Sequence, residues 1–108
     1  MQMSQANRFV SKYRDKDIRE IVFLMRDALN KHYAWLEKAQ NGIPWNKSER
    51  ITLEETFLLG LRYSEFYAEG SSNEDYCQAE DMRGLLLDKL GYTREEINRV
   101  CYDLLGWR

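Results

Sequence analysis

The stretch from Asn73 to Trp107 constrains the fold most, because it reads as two helices joined by one tight corner. Tyr76, Ala79, Met82, Leu86 and Leu90 fall at helical spacing along one stripe, which Leu85 and Leu87 widen. Gly91 supplies the left-handed residue that ends a helix, a conformation glycine takes without a Cβ penalty. Thr93 to Glu96 is a Thr-x-x-Glu capping box, in which each side chain satisfies the other residue's free amide. A second stripe follows at Ile97, Val100, Cys101, Leu104 and Leu105, and Gly106 stops it. Leu86 and Leu104 are expected to face each other in the core.

Upstream, Ile18, Ile21, Val22, Met25, Leu29, His32 or Tyr33, and Leu36 keep the same period from a start near Asp15 or Asp17. Gly42 and Pro44 end that helix. Phe23 and Trp35 fall off its main stripe and are expected to meet a neighbouring element or a second subunit. Residues 41–50 form the clear connector, with Trp45 in its middle, folded over a core edge or presented to a partner. Thr52 to Glu55 is another capping box, opening a helix expected to run to Glu69 and stop at Gly70. Its faces are Phe57, Leu58, Leu61, Glu65 and Ala68, and Leu59, Tyr63, Phe66 and Tyr67, so it is read as central and covered on both sides. Gly60 in its interior suits a close helix crossing. Ser72 is the expected cap of the next helix. The first residues interleave Arg8, Lys12 and Arg14 with Phe9, Val10 and Tyr13. They suit a frayed end, a short helix under the bundle, or a strip that stacks nucleic acid, and the solvated helical face is favoured.

The expected fold is all-α: a compact bundle of four main helices at about 15–40, 52–69, 73–90 and 93–105, with a short N-terminal helix as an optional fifth. The 108 residues make one domain with a single core. An apolar share of 44% with 31% charged residues fits a globular chain, and no apolar run nears the roughly 20 residues that cross a bilayer. The polar start lacks the apolar segment of a secretory signal, and two cysteines then suggest free thiols in a cytoplasmic protein. Residues 1–50 hold 10 Lys/Arg against 6 Asp/Glu, and residues 51–108 hold 6 against 12, so the halves carry +4 and −6. Such a split signals docking between faces or oppositely charged partners.

Catalytic patterns are missing. His32 is the single histidine and has no Glu-x-x-His partner, so it is read as a structural residue on an apolar stripe. There is no phosphate loop, nucleophile elbow or paired Cys-x-x-Cys. Acids cluster at Glu54, Glu55, Glu65, Glu69, Glu74, Asp75, Glu80 and Asp81, but Leu58 and Arg83 stand where helical nucleotide hydrolases carry their paired acids. The cluster is read as a solvated face. Cys77 and Cys101 are expected in the core. No catalytic residue, metal or cofactor is assigned.

The corner resembles two families over about 20 to 35 residues of helical-hairpin grammar. Gly91, Ile97 and Val100 match the turn glycine and branched residues of helix-turn-helix DNA readers. Leu87 is bulky where that family is small, and Glu95, Glu96 and Asp103 accompany Arg94 and Arg99, which opposes phosphate binding. Leu90-Gly91-Tyr92-Thr93 is similar to the first loop of ubiquitin-associated domains, whose third helix has no counterpart before Arg108. The preferred function is a non-enzymatic docking protein: a small cytoplasmic adaptor, regulator or inhibitor. One form is an acidic inhibitor covering a nucleic-acid enzyme. Trp, Tyr and Arg dominate interface cores, and the 3 Trp, 7 Tyr and 4 Phe exceed what the core needs. Trp35, Trp45, Tyr63, Tyr67 and Trp107 are the partner-binding candidates. The partner is another protein, with a homodimer expected through the long first helix. The alternative is a helix-turn-helix regulator reading DNA with Arg94, Asn98 and Arg99.

Overall fold

Caps and stripes set the helix ends, and the described residues of the computed structural model include five α-helices where the sequence suggests four with an optional fifth. It describes residues 3–63, 65–66 and 79–108, with side chains from residue 5 and, in the last stretch, from residue 83. The helices are α1 Met3–Tyr13, α2 Ile18–Gln40, α3 Leu53–Gly60, α4 Ala79–Leu90 and α5 Arg94–Leu105. A 3₁₀ turn, Lys47–Glu49, lies in the connector after α2. The described residues are all-helical, with no strand among them. Ser72, Tyr76 and Cys77 lie outside the described residues.

The optional helix is a full structural member. Ala6, Phe9, Val10 and Tyr13 recur at i, i+3, i+4 and i+7 and are all buried. α1 packs against α4 and reaches α3 through Phe9, whose ring meets Phe57 edge-on at 5.5 Å. With those rings inside, no nucleic-acid stacking strip exists on this segment. Burial raises the Tyr13 phenol well above its ordinary range, and the Glu54 and Glu55 carboxylates add to the effect.

α2 begins after Asp17, which is extended and accepts the Arg19 amide at 2.8 Å, so the acids at 15 and 17 precede the helix. Its stripe of Ile21, Val22, Met25, Ala28, Leu29 and His32 is buried against α3 and α5.

α3 is shorter than its pattern suggests. The Leu61 and Arg62 amides bond three residues back, to Leu58 and Leu59 oxygens at 3.2 and 3.1 Å, which tightens the last turn after Gly60. Glycine's low helix propensity assists that ending. The bend lets Leu59 and Leu61, two positions apart, both reach 0% exposure. Glu65, expected on an apolar face, is exposed, whereas Phe66 is buried. Ala68 and Tyr67 lie outside the described residues.

The α4–α5 corner forms as its residues dictate. Gly91 has φ +86°, and the Tyr92 amide reaches back to the Leu87 oxygen at 3.0 Å. Thr93 and Glu96 exchange capping-box bonds at 3.1 and 3.2 Å. The Tyr92 hydroxyl donates to the Lys16 oxygen at 3.3 Å, tying the corner to the α1–α2 turn. Leu86, Ile97 and Cys101 are fully buried, but Leu104 is 40% exposed and is not a core residue. It shares the α5 stripe, yet its last-turn position lies along an open groove beside Phe23 and Leu24 instead of under another helix.

The α3 capping box also carries a charge. Glu55 accepts from the Thr52 amide at 3.0 Å and from Lys31 at 2.9 Å. Desolvation pushes its carboxyl up, but these bonds together win and hold it below the ordinary glutamate range. A depressed carboxyl contributes stability above its unfolded pKa, about 4.3, and loses it as pH falls through the folded value. Glu55→Gln keeps a cap acceptor and removes the charge. Urea melts should show the variant weaker at pH 7 and the difference closing below about pH 4.3; a gap that persists at low pH would mean the charge is not its source.

Candidate functional site

Three local features open one cleft of about 710 Å³. The turn after α3 sets Arg62 and Tyr63 on its wall, and α4 adds Arg83. α5 contributes Glu95, Asn98, Arg99 and Tyr102, spaced i, i+3, i+4 and i+7 on one helical stripe away from its buried side. Gly106, at φ +70°, reverses the chain so that the Trp107 amide reaches the Cys101 oxygen at 3.3 Å. That reversal brings the Trp107 ring 6.3 Å from the Tyr63 ring.

Arg62 is the hub. It donates to Asn98 Oδ1 at 2.9 Å and to the Arg108 oxygen at 2.7 Å. Its guanidinium lies 5.3 Å from the Tyr63 ring centre and 5.7 Å from that of Trp107, within cation–π range. Its Nε is buried without a hydrogen-bond partner. Beneath it, burial pushes the Cys101 thiol up while Arg62 acts to lower it. A buried thiol held above its ordinary range is a poor nucleophile. Arg83 Nε donates to the Leu61 oxygen at 3.2 Å.

Among the described residues, four arginines (62, 83, 99 and 108) therefore line the cleft together with the carboxylate of Glu95. The described lining is cationic, opposite in sign to the −6 of the half-chain that supplies it. The sequence-derived candidates divide accordingly. Tyr63, Trp107, Asn98 and Arg99 come together here, although Asn98 and Arg99 belong to the DNA-reading alternative and Tyr63 and Trp107 to the docking one. Arg94 is exposed in the first turn of α5 and does not line the cleft.

Trp35 and Trp45 form a separate cluster. Their rings meet edge-on at 5.4 Å, Arg50 lies 4.6 Å over Trp35, and His32 is buried 5.8 Å from Trp35 and 5.0 Å from Phe66. Trp45 is thus folded back over Trp35, with 41% of its surface still exposed. Tyr67 lies outside the described residues, as do Glu69, Glu74 and Asp75. Among the described residues no group of three or more His, Cys, Asp or Glu could hold a metal. No helix among them is long and apolar enough to cross a membrane.

Sequence reasoning missed Arg62, Arg83, Tyr102 and Arg108. The 95–98–99–102 spacing was the available signal for the α5 wall. The chain matches no known family model, and no curated protein or solved structure matches it significantly.

Proposed function

We propose that this protein is a non-enzymatic docking module, an adaptor, regulator or inhibitor, and that its cleft takes up an acidic segment of a partner protein. The supporting observation is the convergence, among the described residues, of four arginines and three aromatic rings with the Glu95 carboxylate. Tyr, Trp and Arg are the residues that most often carry interface energy. Arg62 is already held by Asn98 and the Arg108 oxygen, so little side-chain freedom remains to be lost on binding. The positive region is short, and Glu95, Glu96 and Asp103 are exposed on the same helix. A partner with a few discrete carboxylates fits such a hole. A continuous phosphate backbone needs a longer basic track. The cationic cleft also favours an acidic partner over the basic nucleic-acid enzyme that an acidic inhibitor would cover.

Fluorescence anisotropy with a labelled glutamate- and tyrosine-containing peptide tests this reading. Binding should weaken with salt, and Arg99→Glu or Trp107→Ala should weaken it by about tenfold or more. No peptide binding, together with salt-steep binding of labelled duplex or single-stranded DNA, would overturn it in favour of the nucleic-acid reading.

A further inference from the structure

Two guanidiniums of the cleft border the same space. Arg62 is fixed by Asn98 Oδ1 at 2.9 Å, and Tyr63 and Trp107 lie against it at 5.3 and 5.7 Å. Arg99 follows Asn98 directly on α5, is exposed, and lines the same cleft. It makes no hydrogen bond or ion pair among the described residues. Glu95, four residues before it, lines the cleft without pairing with it. An incoming anion therefore meets one rigid guanidinium and one whose charge is unspent.

Two carboxylates would balance such a pair only by ordering two flexible side chains, each of which loses rotamer freedom. One carboxylate offers two oxygens, the complement of a single guanidinium fork. A phosphate monoester carries about −1.5 to −2 charge at pH 7 on one group, and its three acceptor oxygens serve two forks. It also needs no long basic track. Tyr102 lies three residues past Arg99 and is 54% exposed, and with Trp107 it gives the cleft ring surface beside the arginines. A phosphate carried on an aromatic ring gains stacking there that an aliphatic carrier lacks.

Resting on the docking reading above, we infer that the acidic group this cleft recognises is a phosphotyrosine of the partner segment. Arg62 and Arg99 share its phosphate, and its ring sets against Tyr102 and Trp107. The described charged groups facing it are the four arginines and Glu95, beside the Tyr63 and Tyr102 phenols. The chain's single histidine, His32, belongs to the Trp35 cluster, so no imidazole titrates at the cleft. A phosphate monoester loses its second proton near pH 6, about the middle of the interval from pH 5 to 7. Binding should therefore strengthen as pH rises through that interval. A glutamate ligand, ordinarily ionised above about pH 4.3, should bind almost evenly across it.

Fluorescence anisotropy with three labelled peptides of one sequence, bearing tyrosine, phosphotyrosine or glutamate at one position, tests the assignment. The phosphotyrosine form should bind about tenfold or more tighter than the other two at pH 7, and this advantage should shrink toward pH 5. Arg99→Gln, checked by circular dichroism to remain folded, should remove most of the advantage. Phenyl phosphate alone should compete only weakly, because the partner's chain adds contacts of its own. A glutamate form that binds as tightly at pH 7 overturns the phosphate assignment and leaves the docking reading standing. An advantage that ignores pH or Arg99→Gln, or phenyl phosphate binding as tightly as the peptide, overturns it too. Failure of every peptide to bind ends both readings.

Discussion

Phe9→Ala should destabilise the protein by about 3–5 kcal/mol, a large part of the total for a chain of this size. Phe9 is 3% exposed, packs 4.6 Å from the Tyr13 ring and meets Phe57 edge-on at 5.5 Å. Removing the ring takes away its burial and leaves a cavity between α1 and α3 that flanking helices close only in part. The polar ties of α1 are weak by comparison. Lys12 to Glu54 at 2.8 Å and Lys89 to Asn7 at 2.9 Å are exposed contacts, so Lys12→Ala should cost less than about 1 kcal/mol. Urea melts of both variants decide the matter. A loss below about 1 kcal/mol for Phe9→Ala would mean that α1 can leave without disturbing the core.

Local chemistry made part of this fold readable. Thr52 with Glu55, Thr93 with Glu96, Gly91 and Gly106 each act within a few residues, and the structure shows the caps and turns they specify. The α2 stripe was equally plain, because its period repeats for several turns. Outcomes set by distant residues were not readable. Whether α1 is frayed or buried depends on Phe57 and α4, which its own pattern does not show. The same Gly60 that suggested a helix crossing stands where α3 ends, and the buried Leu59 and Leu61 both require that bend.

The cleft illustrates the limit further. Charge counted by halves placed the acidic surplus in residues 51–108, yet Arg62, Arg83, Arg99 and Arg108 from that half converge in space. Two of the eight named candidates, Tyr63 and Trp107, meet only because α3 stops early and Gly106 turns the chain back. Spacing on α5 could have grouped Asn98 and Arg99 with Tyr102. It could not have supplied Arg62.

Leu86→Ala and Leu104→Ala should separate sharply, although the sequence pattern treats them as equals. Leu86 is 0% exposed, so its truncation should cost about 2–5 kcal/mol through lost burial and a residual cavity. Leu104 is 40% exposed on an open groove, where water fills the space that truncation leaves, and the cost to the isolated chain should stay below about 1 kcal/mol. Urea melts of the two variants read the difference directly. Equal losses would place Leu104 in the core after all, under another helix and not on an open groove.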